Sequence, residues 1–171
     1  WSLFLSAPIR EELIRVIKPL EILQHRSDGG YASAERQRVQ FANKENPDLF
    51  INKPVPIKGI RIEGNFLFDK PSQDDIRNTM INIGTTENEL GDFWVHNDRG
   101  AQGICTPEVA KKLDGQTGIV KDVSIKIEAV EIVDLHLPFS KTPKSISTVE
   151  ASTRVDAIAS AGFGLSRSKI V

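Results

Sequence analysis

Between Ile57 and Leu135 the spacing of apolar residues changes period in a fixed order, and that order restricts the fold more than any other feature of the chain. "IKGIRIEG" alternates apolar and charged residues around Ile60 and Ile62, as a half-buried strand does. "PSQDDIRNTMINIG" then places Ile76, Met80 and Ile83 on one helical face, with Ser72 and Asp75 at capping-box spacing and Gly84 as the stop. "GDFWVHNDRGAQGIC" reads as two short strands joined at Asn97-Asp98-Arg99-Gly100, a good hairpin turn. "TPEVAKKLDG" supplies a threonine cap, a proline at the helix start and a terminal glycine. "VKDVSIKIEAVEIVDL" closes the series as one long strand with Val123, Ile125 and Ile127 on one face. Strand, helix, strand, strand, helix, strand is the split βαβ order, so the expected fold class is α+β with a ferredoxin-like (βαββαβ) domain over residues 57–135. The competing arrangement is an α+β domain whose first strand pairs elsewhere.

Residues 1–56 form a separate segment in this reading. "SAPIREELIRVIKPL" has Ser6 as a cap, Pro8 near the first helical position and Ile9, Leu13, Val16, Ile17 and Leu20 at helical spacing, which predicts a short amphipathic helix ending near Pro19. Asp28-Gly29-Gly30 reads as a turn, Arg38 to Ala42 as a strand, and the proline-containing "NKENPDLFINKPVP" as a loop. Downstream, residues 136–148 lack periodicity and serve as a linker, and residues 149–171 form a tail that begins as a helix and turns through glycine into Ser166-Arg167-Ser168-Lys169.

Composition narrows the function classes. Lys and Arg number 22 against 23 Asp and Glu, a net charge of -1, so no global field draws the whole molecule to nucleic acid or an acidic membrane, although a local basic patch remains open. The single cysteine, Cys105, excludes an internal disulfide and points to a reducing compartment or one where disulfides are unused. No apolar run approaches the roughly 18 residues that a membrane helix needs, so the chain at most sits on a bilayer. The chain starts at Trp1 without a methionine, which suggests a leader that was removed or simply not included and is consistent with organelle import.

No constellation announces catalysis or metal binding. His25, His96 and His136 lie in separate contexts, none at ligand spacing with another His or Cys, and read as surface or strand-end residues. A Cys105 nucleophile served by His96 across the hairpin lacks a third orienting group. Asp74 and Asp75 open a helix, where they favour the positive end of its dipole. "DGGY" and "EGNF" lack phosphate-loop spacing and read as tight turns. An RNA-reading sheet of this kind is expected to stack bases on aromatics of its central strands. Phe93 and Trp94 stand on one strand, but "AQGIC" offers none, so the platform is missing. The expectation is no catalytic residue, no metal, no cofactor and no small-molecule substrate.

The tail is more specific. Arg154, Val155, Asp156, Ile158, Gly162, Gly164 and Ser166-Arg167-Ser168-Lys169 resemble the first half of the RNA-binding domain named after ribosomal small-subunit protein four, the S-four domain. With "GGYASAER", "GNFLF" and "LGDFWVHNDRGAQGICTPEVAKKL", the chain is similar to the YlmH-like group, which includes the photosystem II S-four domain proteins of cyanobacteria and plastids. The resemblance implies phosphate contacts from Arg154, Ser166, Arg167 and Lys169. Against the family pattern, the region "KPSQDDIRNTMINIGTTENEL" lacks the glycine-rich, histidine-containing block of relatives, and the second half of the S-four domain, with its β-hairpin, is absent.

Two functions follow from that resemblance. The favoured one is a non-catalytic plastid protein on the stromal face of the thylakoid, a structural subunit or assembly factor docked on photosystem core subunits, with Trp1, Phe4, Tyr31 and Trp94 as docking residues. Charge balance and the missing aromatic platform argue for it. The alternative is an rRNA-binding translation or quality-control factor of the ribosome, in the stroma or the cytoplasm.

Overall fold

The structure, a computed structural model, describes residues 1–45, 53–97, 99–138 and 154–164. The chain is a mixed α/β protein that divides into two compact units, Trp1–Phe139 and Ser140–Val171.

The first unit is organised by a five-stranded antiparallel sheet whose strands come from the alternating segments of the sequence. They are β3 (Lys58–Glu63), β4 (Leu90–Val95), β5 (Gly100–Cys105), β6 (Thr117–Val120) and β7 (Val123–Val130), in the order β4-β5-β3-β7-β6. Helix α2 (Gln73–Asn82) connects β3 to β4, and α3 (Pro107–Leu113) connects β5 to the β6–β7 hairpin. β5 lies between β3 and β4, so the α2 connection passes one strand, while the α3 connection from β5 to the edge strand β6 passes β3 and β7.

Both helices begin where the sequence says they do. Ser72 Oγ accepts the Asp75 N–H at 3.1 Å while the Asp75 carboxylate accepts the Ser72 N–H at 2.8 Å, a complete capping box. The Ser72 N–H and the Ser72 hydroxyl, each donating to that carboxylate at 2.8 Å, hold the Asp75 carboxyl below its usual range. Thr106 caps α3 through the Val109 N–H. The helices cover one sheet face, α2 against β4 and β6, α3 against β7 and β3. Ile60, Ile62, Ile76, Met80, Phe93, Leu113 and Ile127 form the centre of a wholly buried cluster there. Close packing dictates one glycine: a Cβ at Gly103 would lie 2.4 Å from the Phe93 ring.

The long final strand expected over residues 120–135 is three elements instead. β6 ends at Val120, Lys121 turns with a left-handed φ of 51°, and Val123 starts a strand that runs back antiparallel. Val123 is only partly buried while Ile125 and Ile127 are enclosed, and Ile132–Asp134 form a 3-10 turn. Val120 and Val123 pair directly and share a face, so the buried positions change from even to odd numbers across the Lys121-Asp122 turn.

The first 45 residues belong to the same compact unit as the sheet. Helix α1 (Ala7–Ile17) is present, although Ser6 makes no side-chain cap bond and the helix fully buries none of its residues. Strand β1 (Leu23–Asp28), which sequence reading passed over, pairs antiparallel with β2 (Arg38–Asn43) as a two-stranded sheet. Its polar residues Gln24, His25, Arg26 and Ser27 hide it. The "GGYASAER" block that follows is a fastening. Asp92 of β4, 9% exposed, accepts the Tyr31 hydroxyl at 2.8 Å, the Glu35 N–H at 2.8 Å and the Arg36 N–H at 3.0 Å. Arg36 adds a bond to the Leu90 carbonyl at 2.9 Å. A carboxylate leaving water needs such donors, and here they tie the segment to the sheet.

In the second unit the described residues comprise α4 (Val155–Phe163), ended by Gly164 in a left-handed conformation that suits glycine. Ala157 is buried, while Val155, Ile158 and Phe163 are exposed. Most of the expected linker, from residue 139 onward, lies outside the described residues.

Candidate functional site

Residues of each central strand that point away from the helices form a polar row. In register across the sheet stand Trp94 of β4, Gln102 of β5, Arg61 of β3 and Glu128 of β7. Successive strand residues face opposite ways, so Ile60 and Ile62 enter the core while Arg61 between them faces outward.

The Trp94 end of the row is roofed. Phe4, Ile104 and Leu135 are buried there with Tyr31, Trp94, Ile132 and Leu137 packed against them. Tyr31 meets Trp94 edge-on, with centroids 5.9 Å apart. The segment after β7 is stitched to the row by two bonds: Trp94 Nε1 donates to the His136 carbonyl at 3.0 Å, and the His136 N–H donates to Gln102 Oε1 at 2.8 Å. Gln102 is 2% exposed, so this bond anchors the segment from within the sheet face.

That stitching lays the His136 ring on His96, with centroids 4.3 Å apart and planes within 16° of parallel. His96 follows the last residue of β4, and its N–H donates to the Gly100 carbonyl across the hairpin at 2.9 Å. The pair forms one wall of a groove of about 380 Å³ that also takes in Arg61, Glu63, Arg99 and Gln102. Arg61 is engaged by Glu128 at 3.0 Å. Among the described residues the Arg99 guanidinium has no partner, and its side chain is exposed at the mouth. Two stacked imidazoles beside an unengaged guanidinium suit a planar heterocycle carrying an anionic group.

The residues singled out by sequence reading fare differently. Phe4 is fully enclosed and has no surface with which to dock. Tyr31 and Trp94 are partly buried and place their polar atoms in internal hydrogen bonds. Burial and the Asp92 bond raise the Tyr31 hydroxyl above its ordinary pKa. Trp1 is half-buried with the Arg26 guanidinium 4.8 Å from its ring centroid. Arg154 is exposed and pairs with Asp156 at 3.0 Å, whereas Ser166, Arg167 and Lys169 lie outside the described residues.

The Cys105–His96 pairing does not form. Cys105 lies in the helix-side core opposite Leu90, at the other end of β5 from the His96 turn, and burial pushes its thiol up to about 12. Sequence reading missed the stacked histidines, which are 40 positions apart and are joined only by the chain's return past Gln102. Among the described residues no group of three or more His, Cys, Asp or Glu side chains is placed to hold a metal ion, and no helix is long and apolar enough to cross a membrane.

This mixed α/β chain is similar to a solved structure, so the fold is YlmH-like. The counterpart is the cell division protein ylmH from Streptococcus pneumoniae, matched over 78% of this chain and 79% of that one with a TM-score of 0.55. Identity is 20%, and the likeness is one of fold. No family model and no curated protein matches the sequence.

Proposed function

We propose that the protein is a non-catalytic RNA-binding protein whose body contacts RNA through the groove beside His96 and His136. The observation that carries this reading is the juxtaposition of stacked imidazoles with Arg99 and Arg61 on the sheet face that the helices leave uncovered. Imidazole planes and arginines are groups on which unpaired RNA bases stack, and they supply what the central strands lack. The S-four resemblance of residues 149–171 supports the same class of ligand, with ribosomal RNA as its natural source. We also assign the sheet to the ferredoxin-like arrangement, with β6 as an added edge strand; the interleaved helical connections support this.

Docking on a photosystem has no comparable support, because Phe4 is enclosed and Tyr31 and Trp94 face inward.

The test is a salt titration of binding between the full chain and fluorescent single-stranded RNA, compared with Arg99→Ala. Each phosphate neutralised contributes about 0.7 to the slope of log affinity against log salt for a single strand. Loss of Arg99 should therefore flatten the slope by about that amount. Absence of RNA binding at low salt, or an unchanged slope, would overturn the assignment.

A further inference from the structure

The loop "GNFLF" after β3 combines one fully buried and one almost fully exposed aromatic within three residues. Phe66 is 0% exposed and belongs to the helix-side core, whereas Phe68 is 93% exposed. The exposure is imposed from both sides. Phe66 anchors the loop on the core, and Asn65 accepts the Leu67 N–H at 3.3 Å. On the far side Lys121, at the β6–β7 turn, donates to Asp69 at 2.7 Å and to the Lys70 carbonyl at 3.2 Å. Between these fastenings Leu67 and Phe68 are held outward.

The loop that carries this pair begins beside the groove. Gly64 donates its N–H to the Arg99 carbonyl at 3.2 Å, and Leu67, Asn65 and Arg99 share a second hollow of about 520 Å³. Arg99 therefore lines both hollows, with the imidazole pair in one and the Phe68 loop bordering the other. A stacked imidazole pair on one side of an unengaged cation, and on the other a loop that leaves the Phe68 ring in solvent, suit consecutive unpaired bases joined by a phosphate. A groove of about 380 Å³ has the size of a one-nucleotide pocket rather than of a cleft for a duplex. Glu63 beside it, and Glu128 on Arg61, leave little net positive charge for a phosphate backbone alone.

Resting on the RNA reading above, we infer that this surface is a single-strand site that takes two neighbouring unpaired nucleotides. One base stacks on the His96–His136 pair, the next on Phe68, and Arg99 takes the phosphate between them.

The experiment measures binding of the full chain to three labelled RNAs of equal length: a single strand, a perfect duplex, and a single strand in which abasic riboses replace the bases. Phe68→Ala and His136→Ala are compared with wild type. Phe68 is too exposed for its removal to threaten folding, and thermal unfolding checks both variants. The single strand should bind at least tenfold more tightly than the abasic strand, and each variant should lose about five- to tenfold for the single strand alone, the lower end of what loss of a base-stacking aromatic costs. If abasic and base-bearing strands bind equally, or if neither variant changes single-strand affinity while RNA binding persists, the two-base site is wrong and RNA binding stands. Failure of all three RNAs to bind overturns the site and the proposed function together.

Discussion

The two faces of the five-stranded sheet are built from alternate residues of the same strands, yet they use those residues in opposite ways. On the helix side Ile60, Ile62, Phe93, Ile125 and Ile127 are all enclosed in one cluster. On the other side Trp94, Gln102, Arg61 and Glu128 form a polar row that is roofed at one end and open at the other. The closed face spends its side chains on packing, and the row is closed only as far as Tyr31, Leu135 and His136 reach. Where the roof stops, at His136, the groove begins. Stability and binding are thus separated by a single step along β3, from Ile62 to Arg61.

Removal of an aromatic ring from the closed face is the strongest test of that division. Phe93→Ala empties a fully buried site between Gly103 and the helices and removes the ring beneath Arg77, whose guanidinium carbon lies 5.4 Å from its centroid. A loss of about 4 kcal/mol is expected in denaturant unfolding, the range for large-to-small core changes of aromatics. A loss below about 1 kcal/mol would show that the helix face is not the main source of stability.

The roofed end should respond less, and with its own pH dependence. Tyr31→Phe removes one of three donors to Asp92 and should cost about 1.5 kcal/mol, as for a hydrogen bond to a charged acceptor. Burial, with the Asp92 carboxylate, holds the Tyr31 hydroxyl above its unfolded value of 10.0. A raised folded pKa means that the contribution is complete below about pH 10 and falls as pH rises beyond it, because the unfolded chain ionises first. Wild type should therefore lose stability above about pH 10, and Tyr31→Phe should lack that descent. Tyr31 is the chain's single tyrosine, so tyrosinate absorbance reads the same event directly.

The division between the faces also explains what could be read from sequence. Capping at Ser72 and Thr106, the alternation in β3 and the hairpin at Asn97–Gly100 are local, and each appears where its residues predict it. β1 was hidden because its pairing with β2 and the chain around it, rather than any apolar alternation of its own, makes it a strand. The site was illegible for a related reason. Gln102 looks like an ordinary strand residue until the chain returns from β7, and only that return places His136 against His96. The YlmH-like resemblance indicated the fold, and its block "GGYASAER" holds the roof through Asp92. The turn at Lys121-Asp122 escapes a reading based on Val123, Ile125 and Ile127 alone; only Val120, which pairs with Val123 and shares its face, shows the change of parity that a two-residue turn imposes.

The open end should show the smallest stability effect and a binding effect of opposite sign to ordinary truncation. Arg61 and Glu128 are about one-third to one-half exposed, so their ion pair contributes at most about 0.5 kcal/mol to folding once solvent screening is counted. Glu128→Gln should therefore leave the unfolding midpoint almost unchanged. The same change releases the Arg61 guanidinium at the edge of the groove and removes a negative charge from the path of a phosphate. Affinity for single-stranded RNA should rise about two- to fivefold at low salt and return toward wild type as salt screens the difference. If Glu128→Gln instead destabilised the fold by more than about 2 kcal/mol, the pair would belong to the architecture and the contrast between the faces would fail. If it weakened RNA binding, the groove would be recognising its ligand through the carboxylate, and Arg61 would have to be reassigned from phosphate contact to holding Glu128 in place.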